Sequence, residues 1–212
     1  MFIFGHTGIT IGTALVISGM AAATHRPDDL KVKQLKSNSR PAEIEKEKGK
    51  QSFWVEGLEY LSNFMDIRLL AVGSMLPDII DKPLGMILSE SGRTYTHTLI
   101  ITLIACGLGL YLYKWGKKVW FLTLSMGMIS HLVLDQMWQT PHTLLWPLSG
   151  WTFPRVSEAH WLKEWLFTLV HNPEVYISEA VGLVVLASVS ILLIRRHKFM
   201  KLFLHGKVQS DK

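Results

Sequence analysis

TLIITLIACGLGLYLY, residues 98–113, runs for sixteen positions without a charged side chain, and VWFLTLSMGMISHLVL, residues 119–134, follows it after the basic connector Lys114-Trp115-Gly116-Lys117-Lys118. A helix that crosses a bilayer needs about 20 predominantly apolar residues, with a range of roughly 17–25. These two runs approach that length, and so do Phe2 to Ala23 and Tyr176 to Ile194. A fifth, Ile67 to Ile80, is short. It spans only if its helix continues back through the amphipathic run from Phe53, with Glu56, Glu59 and Asp66 near the interface. The expected fold is all-α: one integral membrane helical bundle over residues 1–212, with about five transmembrane helices.

The composition supports that class. Hydrophobic residues make up 49% of the chain and charged residues only 18%, against about 25% charge in ordinary soluble domains and more in disordered ones. A single cysteine, Cys106, excludes an intramolecular disulfide framework and any cluster of cysteine metal ligands. Ala21-Ala22-Ala23 resembles a signal-peptide cleavage site, but no Lys or Arg precedes the apolar run, so the first segment reads as an uncleaved anchor.

Basic residues collect in cytoplasmic loops. Nine lie between the first two spans (Arg26, Lys31, Lys33, Lys36, Arg40, Lys46, Lys48, Lys50, Arg68), three in the 114–118 connector and six after the last span. An outside N-terminus and a cytoplasmic C-terminus therefore place eighteen of the 22 in the cytoplasm, leaving Lys82, Arg93, Arg155 and Lys163 outside. The net charge of +5 is thereby a topology signal, and nucleic acid is not the expected partner. Residues 26–51 read as a polar cytoplasmic loop, part helical near Ala42 to Lys50, and residues 195–212 as a basic cytoplasmic tail. The segment 136–174, with Trp138, Trp146, Trp151, Trp161 and Trp165, reads as extracytoplasmic and interfacial, because tryptophan favours headgroup depth.

Ionisable groups at membrane depth cost from about 2.5 kcal/mol upward and are functional candidates for that reason. His6 opens the first span, Asp78 and Asp81 close the second, Arg93 and His97 open the third, and His131 and Asp135 close the fourth. With the topology above, every one of them falls at the outer end of its helix. His131 and Asp135 are four apart and share a helix face, with Cβ atoms roughly 5–6 Å apart; Asp78 and Asp81 are three apart. Three histidines and two or three aspartates suffice for one closed shell, or for two ions sharing a carboxylate. A nitrogen and oxygen set without thiolate suits Zn²⁺ first, with Mn²⁺ or Fe²⁺ as alternatives. Taken singly, each group has a plainer account: a structural His–Asp pair, a packed histidine, a helix-end aspartate, a Thr94 or Thr96 N-cap, an Arg93 paired with a neighbouring acid. Their arrival on one side is what those accounts leave unexplained.

Gly5-His6, Leu76-Pro77-Asp78, Arg93-x-Tyr95-Thr96-His97, Gly127-x-x-Ser130-His131-x-x-x-Asp135 and Leu144-Leu145-Trp146-Pro147 together resemble the LexA-regulated, membrane-bound metal-dependent hydrolase family, across about two-thirds of the chain. That family is thought to be related to the all-helical zinc-dependent phospholipase C and single-strand nuclease superfamily. The resemblance implies that His6, Asp78, His97, His131 and Asp135 are metal ligands, with His142 a further one and His171 with Glu174 a second site. Two departures stand out. Gly92-Arg93-Thr94 replaces the family's His-Arg-Gly, and Asp78-Ile79-Ile80-Asp81-Lys82 replaces its Pro-Asp-Ile-Asp-His.

The expected activity is metal-assisted hydrolysis of an ester, above all a phosphoester, at the outer surface of the cytoplasmic (inner) membrane. Arg93 is expected to hold a phosphate oxygen, Asp81 to act as general base or bridging ligand, and Asp78 to fill either role. A site at headgroup depth favours a lipid or lipid-linked substrate. The competing expectation is a non-enzymatic metal-binding or ion-transport protein, and a third is a purely structural polar cluster.

Overall fold

The computed structural model describes residues 2–36, 53–88, 92–154 and 167–206, and the described residues contain helices and no strand. The principal helices are α1 (Ile3–Lys36), α2 (Phe53–Phe64), α3 (Ile67–Leu88), α4 (Leu99–Gly116), α5 (Trp120–Leu134), the short α6 (Pro141–Leu144), α7 (Pro173–Arg195) and α8 (Phe199–His205). Single 3₁₀ turns at Tyr95–His97 and Met137–Gln139 flank the α4–α5 pair. Among the described residues, three helices are long and apolar enough to cross a membrane: α1 over Ile3–Thr24, α4 and α7. The chain is a helical membrane protein. Of the other two expected spans, α5 is apolar but only 15 residues long, and α3 carries Arg68, Asp78, Asp81 and Lys82 along its 22 residues.

Local chemistry sets the boundaries. Thr98 caps α4 by accepting the Ile101 N–H, and α4 ends at Lys117 in the left-handed region, φ 51°. Asn172 accepts the Glu174 N–H and Pro173 opens α7, the pairing expected of a helix N-terminus. The expected continuous helix from Phe53 to Ile80 is broken in two. Asp66 turns its carboxylate onto the Arg68 N–H, 2.9 Å, which caps a new helix at Ile67 and separates α2 from α3. In the other direction α1 continues past the apolar run as far as Lys36, so residues 26–36 of the expected loop are helical. Residues 37–52, and with them Ala42 to Lys50, lie outside the described residues, as do Arg155, Trp161, Lys163, Trp165 and the tail beyond residue 206.

α1 packs along α7 and α2, α3 packs along α5, and α5 packs along α4, while an α1–α3 contact joins the two halves. Both principal crossings are made by paired glycines. A Cβ on Gly182 would fall 2.0 Å from the Phe4 carbonyl oxygen, and one on Gly8 would fall 2.1 Å from the Gly182 oxygen. At the α3–α5 crossing a Cβ on Gly73 would fall 2.3 Å from the Leu124 oxygen, and one on Gly127 would fall 2.6 Å from the Ser74 nitrogen. Small residues that let backbones approach this closely are how helices associate in lipid, where burial of apolar surface drives little.

An apolar cluster of Ile11, Leu15, Leu58, Leu61, Ile67 and Leu193 fills the end of the bundle towards the α7 C-terminus. Below it α8 is tied back: Arg68 donates to the Phe203 and Leu204 carbonyls at 2.8 and 3.0 Å, and Lys198 pairs with Glu59 at 2.6 Å. Partly exposed pairs of this kind contribute about 0.2–1 kcal/mol. Lys198→Met is therefore expected to cost less than about 1 kcal/mol in a detergent unfolding titration, with the difference vanishing at high salt. A larger, salt-independent loss would show that the pair does more than tether α8.

A candidate metal centre at one end of the bundle

The other end of the bundle is polar. The first turn of α1, the middle of α3, the turn before α4 and the C-terminus of α5 meet there, bringing together His6, Asp78, Asp81, Arg93, His97, His131 and Asp135. His6, His97, His131 and Asp81 are fully buried. The Gly73–Gly127 crossing explains how His131 arrives. Gly127 lies one helical turn before His131 and seats α5 directly on the backbone of Gly73 and Ser74, so the imidazole Nδ1 reaches the Ser74 carbonyl oxygen at 2.7 Å.

Asp81 organises the segment before α4. Its carboxylate accepts the backbone N–H groups of Thr94 (2.8 Å), Thr96 (3.1 Å) and His97 (3.2 Å), and it meets the His97 Nδ1 at 2.7 Å. The Thr96 hydroxyl donates to the Pro77 carbonyl at 3.0 Å, fastening the same segment to α3. Those oxygens are spent on four donors. Such a carboxylate is built to hold His97 in place, and it suits the general-base role expected of Asp81 less well.

The acceptors fix the tautomers of two imidazoles. A carboxylate and a carbonyl can only accept, so the Nδ1 atoms of His97 and His131 carry the protons, and in the neutral rings both Nε2 atoms are bare. These two Nε2 atoms face each other at 3.1 Å. Two lone pairs at that distance repel unless a proton or a metal ion lies with them. Asp78 Oδ1 adds an anion at 3.6 Å from one and 3.9 Å from the other, while its Oδ2 is held by Lys82 at 2.8 Å. Nitrogen ligands about 2.0–2.1 Å from a tetrahedral zinc lie about 3.3 Å apart, close to the separation found. The Nδ1–H partner on each ring is the outer support that metal-bound histidines usually have.

His6 stacks on His131 with ring centroids 4.1 Å apart, and both of its ring nitrogens are buried without a hydrogen-bond partner. Its Nε2 lies 3.1 Å from Asp135 Oδ1, the distance of an ion pair without the alignment of a hydrogen bond. Asp135 Oδ2 pairs with Arg93 Nη2 at 2.9 Å. Ligand atoms of His6, Asp78 and His131 form one group within 4.8 Å of one another, and those of His97, His131 and Asp135 form a second. Both groups could hold a metal ion, and they share His131.

Not every predicted residue joins them. His142 is exposed on α6 and belongs to neither group, and His171 is exposed and stacked on Phe167. Glu174 instead lines a polar cavity of about 210 Å³ with Arg93, Asp135, Gln136, Gln139 and Thr140. A larger apolar cleft of about 600 Å³ between α1, α2 and α7 has no ionisable group on its walls and is not part of the centre. One buried ionisable residue escaped the sequence reading altogether. Glu179, inside the apolar run of α7, accepts backbone N–H groups from the start of α1. An acid in a run of that kind was signal enough to find it.

A sequence profile of the family described as YdjM inner membrane protein matches residues 53–201, which takes in every residue of the centre except His6. No curated protein and no solved structure matches the chain.

Proposed function

We propose that this chain, which belongs to the YdjM inner membrane protein family, is a membrane-bound metal-dependent hydrolase acting on a phosphoester, lipid or lipid-linked, at the outer face of the cytoplasmic membrane. The observation that carries the reading is the pair of bare imidazole nitrogens at 3.1 Å, each ring pinned from behind and both facing a buried carboxylate. His6, Asp78, His97, His131 and Asp135 would hold one or two divalent ions, zinc first by its preference for nitrogen and oxygen donors, with manganese or iron as alternatives. A bound ion of this kind supplies Lewis acidity and a more acidic water.

The chain's own groups supply the rest. Arg93 stands at the boundary between the histidine cluster and the polar cavity, where its planar fork of donors can take a phosphate oxygen. The cavity walls, Gln136, Gln139 and Thr140, offer further polar partners for the alcohol side of the ester. Asp78, with one oxygen fixed by Lys82, offers the other as ligand and as the nearest base for an attacking water. The outward orientation rests on the distribution of basic residues, and the hydrolase class and its LexA control on the resemblance of the motifs.

Elemental analysis of the protein purified in detergent, followed by a hydrolysis screen on phospholipids and soluble phosphodiesters, tests the proposal. About one or two tightly held divalent ions per chain are expected, with hydrolysis lost on chelation. Arg93→Ala is expected to lower kcat/KM by about 10- to 100-fold, the loss of a hydrogen bond to a charged group, with metal content retained. A protein that holds no stoichiometric metal sinks the proposal.

A further inference from the structure

Glu179 is 9% exposed in the second turn of the most apolar spanning helix. A carboxylate there needs strong partners. It finds them on a different helix: Oε1 accepts the N–H groups of Phe2 at 2.7 Å and Gly5 at 2.9 Å, and Oε2 accepts that of Phe4 at 3.0 Å. These are donors of the first turn of α1, which have no carbonyl of their own helix to bond, and they stand at the positive end of its dipole. The first bond α1 makes within itself is donated by the next residue, His6 N to the Phe2 oxygen at 3.1 Å.

We infer that Glu179 is a positioning residue for the centre: by clamping the first turn of α1 it sets the rotation and height at which His6 presents its imidazole to His131 and Asp135. The inference rests on the metal-centre reading and deepens it. Geometry favours the clamp over a simple helix cap. Glu179 and Gly182 are three residues apart on α7, and Gly5 and Gly8 are three apart on α1. The carboxylate contact and the Gly8–Gly182 backbone contact therefore sit one turn apart along the same seam. Two such contacts on parallel helices fix both sliding and rotation. Each residue of an α-helix turns about 100°, so a first turn that frays or winds differently removes the His6 ring from its stack on His131. The ring itself is held by its stack on His131 and its 3.1 Å ion-pair contact with Asp135, and neither nitrogen makes an aligned hydrogen bond.

The test compares full-length parent, Glu179→Gln, His6→Ala and the double variant in detergent. Glutamine keeps the volume and one acceptor oxygen but turns an amide N–H₂ towards backbone donors. Cobalt or zinc titration is expected to show about tenfold weaker binding for Glu179→Gln, the size usual for loss of an outer support. The double variant should be no weaker than His6→Ala alone, because the effect travels through His6. A further tenfold loss in the double variant would overturn the inference, as would unchanged affinity in the single one. Labelling by diethyl pyrocarbonate gives a readout without metal: His6 is expected to be protected in the parent and reactive in Glu179→Gln, while His97 and His131 stay protected. Equal protection of His6 in both proteins defeats the clamp. If the glutamine variant does not fold, hydrogen exchange in the parent decides: slow exchange at Phe4 and Gly5 supports the clamp, and exchange at the rate of a frayed terminus refutes it. A parent that binds no metal but shows the labelling contrast would overturn the metal reading and leave the positioning of His6 standing.

Discussion

Gly127→Val is expected to unfold the polar end of the bundle and to abolish metal binding together with it. At this position even the first carbon of a side chain has no room: a Cβ falls 2.6 Å from the Gly73 carbonyl carbon and the Ser74 nitrogen, both backbone atoms that cannot rotate aside. Relief requires α3 and α5 to separate. Overpacking of a tight contact costs typically about 1–3 kcal/mol and more where backbones must shift, and valine adds two further carbons to the clash. The functional consequence follows from the same atoms, since Ser74 is the residue whose carbonyl fixes the His131 ring. Separation of the helices breaks that 2.7 Å contact first.

The matched control is Gly107→Ala. Gly107 lies in the middle of α4, and a Cβ there meets nothing within 4 Å. Alanine is preferred over glycine in a helix by about 0.8–1 kcal/mol in water, so this change is expected to leave stability equal or slightly raised. Thermal unfolding in detergent, followed by circular dichroism, and elemental analysis of each purified variant measure both effects. Equal stability and equal metal content in the two variants would mean that the α3–α5 crossing does not control the site.

The part of the centre that was legible in the sequence is the part that is costly. His6, Asp78, His97, His131 and Asp135 interrupt apolar runs or stand at their ends, and a charge there is visible because it is expensive. Their meeting at one end followed from helix order alone. What stayed hidden depends on backbone. Ser74 contributes a carbonyl, which every residue has, so no motif marks it. Gly73 and Gly127 matter through a distance between two helices, which spacing along the chain does not contain. Asp81 reads from the sequence as a general base or bridging ligand, and only the fold shows that the Thr94–His97 backbone takes up its oxygens. The break between α2 and α3 was signalled by Asp66, a capping residue ahead of an apolar run, but the need for a span of sufficient length argued the other way. His142, carried over from the resemblance, is exposed on a short helix and joins neither ligand group.

Asp81→Asn is expected to weaken metal binding by about 10- to 100-fold, or roughly 1.4–2.7 kcal/mol, with the chain still folded. The loss comes from charge, with the ring proton left in place. In the parent protein Asp81 Oδ2 accepts from the Thr94 N–H at 2.8 Å and faces His97 Nδ1 at 2.7 Å, so the ring proton stays on Nδ1 and Nε2 keeps its lone pair for the centre. Asparagine carries one oxygen and one N–H₂. Its oxygen is expected at the Oδ2 position, where the Thr94 and His97 backbone N–H groups and the His97 Nδ1–H all donate, and its N–H₂ at the Oδ1 position, which the Thr96 N–H approaches at 3.1 Å. His97 then keeps its tautomer but is backed by a neutral amide, and a ring without an anionic outer partner is the weaker donor to a cation. Metal titration reads the loss, and the ¹⁵N shifts of the His97 ring read its cause: Nδ1 protonated in the parent and in the variant. If affinity is unchanged, the charge of Asp81 does not reach the centre through His97. If the tautomer reverses, the amide is turned the other way and the loss comes from a proton on Nε2 instead of from charge.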